Sequence, residues 1–167
     1  MECKEVITLE NVVNDFVSKE MSDHHLNGVL RLEQLANKRP QSAQQFLKEI
    51  HSPTYINLVG NINSETVIGF CVGQVIGDEL HIYSLVVDPE YRRLGYGKML
   101  IEELIERSKS QGVIRATLEV RISNNVAISL YSNLGFKPAG VREKYYIDNG
   151  EDASIMWFDF NERERKC

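Results

Sequence analysis

Between positions 85 and 98 the sequence runs Leu-Val-Val-Asp-Pro-Glu-Tyr-Arg-Arg-Leu-Gly-Tyr-Gly-Lys, and few folds can absorb that order of residues. Leu85 to Val87 suits the end of a buried strand, and Pro89 stops the strand because it has no N–H to give to a ladder. Beyond it Met99, Leu100, Leu104 and Ile105 recur at helical spacing, so Gly95 and Gly97 fall at a helix N-terminus. Outward-pointing N–H groups, the positive end of the helix dipole, a backbone open to close approach and two arginines together form a cradle suited to a pyrophosphate. The pattern Arg92-x-x-Gly95-x-Gly97 lacks the third glycine of a dinucleotide fingerprint and the Gly-Lys-Ser/Thr end of a triphosphate loop, so those classes recede. From this window alone an ordinary turn in an α/β unit stays open.

Composition narrows the setting. A chain of 167 residues, 43% of them hydrophobic, suits one domain with a real core, and no stretch approaches the roughly 20 apolar residues of a membrane span. The start Met1-Glu2-Cys3-Lys4-Glu5 carries no secretory pattern. A net charge of -5 argues against nucleic acid as a direct partner. Cys3, Cys71 and Cys167 are odd in number and lack metal spacing, which fits reduced thiols and a cytoplasmic location. His24, His25 and His51 have no metal-ligand company and read as surface residues, so no metal is expected.

Taken in order, residues 1 to 14 read as an N-terminal extension, 15 to 160 as one domain and 161 to 167 as a polar tail. A loose first strand over 15 to 20 precedes two helices, one from Leu26 ended by Pro40 and one capped by Ser42, expected as a flap over one edge of a sheet. Strands over 55 to 59 and 67 to 76, parted by a turn over 60 to 64, and a third over 80 to 87 form an antiparallel meander that delivers the cradle. The helix from Gly97, a strand over 113 to 120 parallel to its predecessor, a helix from Asn124 ended by Gly135, and a closing hairpin of the Asn-Gly kind complete the chain. The fold class is therefore α/β, or α+β, with a mixed sheet.

That order of elements, the cradle, and the runs Leu118-Glu119-Val120-Arg121-x-Ser123-Asn124, Leu130-Tyr131-x-x-Leu134-Gly135-Phe136 and Lys144-Tyr145-Tyr146-x-x-x-Gly150-Glu151-Asp152-Ala153 resemble the GNAT superfamily of N-acetyltransferases. Within it the chain is most similar to the protein N-terminal α-amino acetyltransferases, including the bacterial ribosomal-protein alanine acetyltransferase and its archaeal relatives. The resemblance implies a central, mostly antiparallel twisted sheet of about seven strands flanked by about four helices. It implies acetyl-CoA as co-substrate, with Arg92, Arg93, Leu94, Gly95, Tyr96, Gly97 and Lys98 on the pyrophosphate, Asn124 on the pantetheine arm, and backbone N–H groups at Val86 and Val87 on the developing oxyanion.

Acetyl transfer to an amine needs a base, oxyanion donors and a proton for the departing thiolate. Glu119 alternates with Leu118 and Val120 and so faces away from a packed side, which makes it the first choice of base; a salt bridge to Arg121 or Arg115 is the structural alternative. His81, on the strand that leads to the cradle, can share that work through water or simply pack on the strand. The resemblance makes Tyr131 the general acid, against the alternative of a core aromatic, while Asn124 also reads as a helix cap. Cys71 lies in an apolar run and reads as packing, so transfer is direct. Glu33, the loop over 35 to 40, Tyr145 and Tyr146 are expected to border a groove for the acceptor, a protein or peptide N-terminus that includes ribosomal proteins as candidates. Gln41 departs from relatives that place a bulky aromatic after the proline. A small amine such as a polyamine or aminoglycoside, or a non-catalytic CoA-binding module, are the rival readings, and a monomer or homodimer is expected.

Overall fold

Apolar runs along residues 55 to 87 build three antiparallel neighbours, β2 (Tyr55–Ile62), β3 (Thr66–Ile76) and β4 (Glu79–Val87), at the centre of a seven-stranded sheet. The computed structural model describes residues 16–63 and 65–161. The expected extension, Cys3, Cys167 and the tail beyond Asn161 lie outside them. With β1 (Val17–Glu20), β5 (Arg115–Arg121), β6 (Lys137–Tyr146) and β7 (Glu151–Asp159) the strand order is β1-β2-β3-β4-β5-β7-β6. Among the described residues only β4 and β5 pair in parallel, as the helical crossover between them requires.

The helices are α1 (Leu26–Ala36), α2 (Ala43–Ile50), α3 (Tyr96–Lys109) and α4 (Asn125–Leu134). Among the described residues no helix is long and apolar enough to cross a membrane. Local chemistry sets their ends: Ser42 Oγ accepts from Gln45 N at 3.2 Å, Asn124 Oδ1 accepts from Ala127 N at 3.1 Å, and Gly135 closes α4 at φ 106°.

Two apolar layers hold the sheet. On one face α3 and α4 bury Leu100, Leu104, Tyr131 and Leu134 against Leu58, Leu80, Leu118 and Met156. On the other, α1 and α2 bury Val29, Leu32 and Phe46 against Val59, Phe70 and Val72. Each such large side chain contributes about 1.5–3 kcal/mol by leaving water. The expected flap over a sheet edge is thereby corrected. Strand β3 is apolar on both faces, and α1 and α2 cover the second, which must leave water as the first does. The expected turn over 60 to 64 is shorter than the spacing predicts, since β2 continues to Ile62 through a bulge at Gly60/Asn61. The closing hairpin is present, but four residues, 147 to 150, join its strands, and only Gly150 of the Asn-Gly pair takes a positive φ, 70°.

Two irregularities in β4 position the site. Val72 pairs with Ser84 while Gly73 pairs with Ile82, so Tyr83 is the extra residue of a bulge. Before it Leu80 and Ile82 face the α3/α4 layer; after it Leu85 and Val87 do, and Val86 faces the α1/α2 layer. Pairing of β4 with β5 ends at Ile82 and Leu118, although the strands run on to Val87 and Arg121 held by β3 and β7. The sheet opens there into a slot.

Helix α1 is tied to the end of β4 by Arg31, whose Nη1 lies 2.8 Å from Asp88 Oδ2 and whose Nη2 donates to Val67 O at 3.1 Å. Asp88 is only 6% exposed, so Arg31→Ala leaves a buried carboxylate without its charged partner. Hydrogen bonds to charged groups contribute roughly 1.5–3 kcal/mol, and a chain of this size loses roughly 2–4 °C of Tm per kcal/mol. A thermal melt of Arg31→Ala is expected to show a fall of several degrees; an unchanged Tm would mean the pair is fully compensated by water.

Candidate active site

The cradle begins where β4 ends. Asp88 Oδ1 accepts from Glu90 N at 3.1 Å and caps a short turn over Pro89–Tyr91, and Arg92 Nε donates to Val87 O at 3.0 Å. Arg93 at φ 63° and Gly95 at φ 87° then turn the backbone left-handed on either side of Leu94, making a concave run of amides that leads into α3. The helical ladder starts with Met99 N donating to Gly95 O, so the amides of Gly97 and Lys98 precede it and point out of the N-terminus. The Arg92, Arg93 and Lys98 side chains are exposed around this concavity. These donors fit a pyrophosphate. An ideal Cβ on Gly97 would lie 3.6 Å from Leu85, Val87 and Leu130, so the cradle, the end of β4 and α4 meet at this glycine. Tyr96 contributes its position in the backbone only, because its ring is 1% exposed and stacks on Phe16 at 4.5 Å.

A Cβ on residue 95 meets nothing within 4 Å, so the cost of Gly95→Ala is conformational, roughly 1–2 kcal/mol for a left-handed non-glycine residue. Coenzyme A affinity is expected to fall by about tenfold, 1.4 kcal/mol, when measured by calorimetry. Unchanged affinity would remove the loop from the site.

At the slot only alternate residues of β4 bond to β3. Asp88 N donates to Ile68 O at 2.8 Å, and Val86 shares its parity, so the N–H groups of Leu85 and Val87 turn toward the opening. Of the two amides expected at the oxyanion, that of Val87 points into the opening together with that of Leu85, whereas that of Val86 shares the parity of Asp88 and points toward β3. The Asn124 side chain makes the capping bond described above, which is its structural reading.

Glu119 is the first β5 residue beyond the last pair with β4, at the mouth of the slot. Leu118 and Val120 enter the core on the α3/α4 side, so the Glu119 carboxylate points to the opposite side, where its side chain is 20% exposed. Its partner is neither Arg121 nor Arg115 as the structural alternative predicts: Arg142 Nε of β6 donates to Glu119 Oε1 at 2.9 Å, while Arg115 pairs with Glu79 and Arg121 with Asp148 and Glu151. Tyr131 stands behind the slot in the α3/α4 layer, 7% exposed, edge-on to Phe136 at 5.6 Å. Burial, reinforced by the nearby Cys71 and Tyr146, pushes its phenol up, so the hydroxyl keeps its proton at neutral pH.

His81 pairs across to Thr117, on the side of the sheet that Glu119 faces but farther from the cradle, and its Nε2 lies 3.3 Å from Glu79 Oε2. Tyr83, which sequence reasoning passed over, has its ring centroid 6.5 Å from that of His81 and 6.3 Å from that of Tyr55. Burial, with the Glu119 charge contributing, raises the Tyr83 and Tyr145 phenols, and burial pushes Tyr146 up to about 12, so this side of the slot presents neutral hydroxyls. Tyr145 and Tyr146 meet edge to face at 5.2 Å. Glu33 is 5% exposed, and its Oε1 accepts from Gln41 N at 3.0 Å, so it shapes the loop between α1 and α2 from beneath. Gln41 Nε2 donates in turn to Glu49 Oε2 at 2.8 Å. Residues 148 to 151 are held by polar bonds: Arg121 keeps the Asp148 carboxyl below its usual range, and Ser123, ahead of Asn149 and Arg121, brings Glu151 to about 2.

Arg142, Tyr83 and Leu85 left little trace in the sequence. Each depends on strand pairing or a bulge, and only the His81/Tyr83 alternation along β4 offered a signal.

Comparison with known proteins gives concordant findings. Residues 25–136 match the acetyltransferase (GNAT) family. The [ribosomal protein bS18]-alanine N-acetyltransferase of Escherichia coli (strain K12) is 38% identical over 146 residues, covering 86% of this chain and 96% of that protein. The crystal structure of the ribosomal-protein-S18-alanine N-acetyltransferase from Escherichia coli superposes with a TM-score of 0.78 at 35% identity, over 87% of this chain and 94% of that one. The structure of Ard1 from Thermoplasma volcanium does so with a TM-score of 0.79 at 26% identity, over 87% and 97%.

Proposed function

The chain belongs to the acetyltransferase (GNAT) family as an acetyl-CoA-dependent amine N-acetyltransferase, and on that premise we propose that its acceptor is the N-terminal α-amino group of a protein, with Glu119 as base and Tyr131 as acid. The observation that carries the reading is the slot: Glu119 stands at its mouth on one side of the sheet and Tyr131 behind it on the other, one strand and one helix beyond the cradle. The coenzyme supplies a thioester carbonyl and a thiolate leaving group.

An α-ammonium has a reference pKa of about 7.7–8.0, so a modest base suffices to free its lone pair. In this reading Glu119 takes that proton directly or through water, with His81 and Tyr83 lining the approach. A C–N bond forms as the C–S bond breaks. The N–H groups of Val87 and Leu85 face the oxygen on which charge develops, and the Tyr131 hydroxyl gives its proton to the departing sulfur. Cys71 takes no part: it is fully buried, its Sγ lies 3.6 Å from Leu100 O, and burial pushes its thiol up, so it stays protonated.

The acceptor side favours a peptide over a small amine. Tyr83 is 54% exposed and Tyr145 45% exposed, so the mouth is an open surface bordered by neutral hydroxyls suited to backbone groups. Likeness to the bS18-alanine relative supports an N-terminal alanine of a ribosomal protein as the first candidate, and with it a cytoplasmic reaction. The test is thiol release from acetyl-CoA with a panel of unblocked peptides differing in their first residue. Turnover that depends on a free N-terminus supports the reading, and turnover only with polyamines or aminoglycosides overturns it.

A further inference from the structure

Arg121 closes β5 two residues beyond Glu119, on the same side of the strand. Its guanidinium grips the tip of the closing hairpin: Nη2 donates to both Asp148 carboxylate oxygens at 2.9 Å, and Nη1 donates to Asn149 Oδ1 at 3.0 Å and Glu151 Oε2 at 3.2 Å. The same group lies over the Tyr146 ring, 3.9 Å from its centroid, and the Tyr146 hydroxyl reaches back to the Glu119 carbonyl oxygen at 3.5 Å. Glu151 extends the network, since its Oε1 accepts from Ser123 N at 3.0 Å, next to the Asn124 cap of α4.

We infer that Arg121 is a positioning residue for the acceptor, fixing the hairpin so that Tyr145 and Tyr146 border the slot at Glu119 and, through Glu151, locking that hairpin to the start of the helix that carries Tyr131. The inference rests on the acceptor reading above. Packing cannot do this work. β6 is exposed along all but its last residue, and Ile147 at the hairpin tip is 83% exposed, so among the described residues the tip lacks a buried aliphatic anchor. A planar fork can engage Asp148 at both oxygens, reach Asn149 and Glu151, and still stack on a ring, whereas an ammonium is a point charge that can do only one of these well. The ring contact adds to the hold, and the two Asp148 oxygens converging on Nη2 supply direction.

Steady-state kinetics of the full chain with an N-terminal peptide separate this role from a merely structural one. Arg121→Gln is expected to raise the peptide KM by about tenfold and lower kcat while the acetyl-CoA KM stays within about twofold. Arg121→Lys is expected to fall in the same direction, since charge without the fork is insufficient, and Tyr146→Phe added to Arg121→Gln is expected to cost less than it does alone. Asp148→Asn, which weakens the Arg121–Asp148 contact and leaves the guanidinium in place, carries the same test if Arg121→Gln does not fold. An unchanged peptide KM, or parallel changes in both KM values with a lower Tm, would overturn the inference. Wild-type enzyme with no turnover on any peptide would overturn the acceptor reading instead, so the two failures are distinct.

Discussion

Tyr131→Phe is expected to lower kcat by roughly 10²- to 10⁴-fold, the usual contribution of a positioned proton donor, while coenzyme A still binds. The substitution removes one oxygen and keeps the ring, whose edge-on contact with Phe136 at 5.6 Å and burial beside Leu134 are apolar. The fold therefore survives, and the lost atom is the one that faces the departing sulfur in the proposed geometry. The raised phenol matters here. Because burial holds Tyr131 in its protonated form, the donor is in place across the whole working pH range, and the basic limb of the pH profile is not expected to report its titration. If Tyr131 were only a core aromatic, phenylalanine would serve as well, and a kcat within about twofold of wild type would establish that.

Glu119→Gln has the second-largest expected effect, a loss of roughly 10²-fold in kcat/KM for the amine acceptor at pH 7. Glutamine keeps an oxygen for the Arg142 Nε now 2.9 Å away, so β5 and β6 stay joined. The loss is expected to depend on pH in a fixed direction. Below about pH 7.7–8.0 an α-amine is mostly protonated and needs a base, whereas above it the neutral amine is already the major form. The deficit of Glu119→Gln thus narrows as pH rises past that range. A deficit that is constant with pH would reduce Glu119 to a counter-ion for Arg142 or for the incoming ammonium.

The elements were legible in the sequence where local chemistry decides them. Ser42, Asn124 and Gly135 mark helix ends by their own side chains or by the lack of one, and Pro89 with Gly95 marks the cradle. The proximity of cradle and Tyr131 was legible in part, because Glu119 and Tyr131 arrive on the very next strand and helix after the cradle, and the structure brings Gly97 against Leu130. What was not legible is what depends on pairing between distant strands. The apolar stripes of α1 and α2 announce a buried face without saying which surface covers it. The bulge at Tyr83 reverses which residues of β4 face the slot, and nothing in the composition of that stretch, with neither glycine nor proline, signals it. Arg142 finds Glu119 from 23 residues away because both β5 and β6 pair with β7, Glu119 opposite Ile155 and Arg142 opposite Ala153, which puts the two side chains on one face. The tyrosine of β4 and the arginine of β6 therefore emerged from the structure, whereas Glu119 and Tyr131 were named from sequence and still await the two substitutions above.

The most direct test of the central claim is a competition within one molecule. A peptide with a free N-terminal alanine and an internal lysine is incubated with the enzyme and acetyl-CoA, and the position of the added acetyl group is read by fragmentation mass spectrometry. The open, tyrosine-bordered mouth beside Glu119 predicts a single acetyl group on the α-amine, and no turnover when that amine is blocked beforehand. Acetylation of the lysine side chain with the α-amine left free would contradict it.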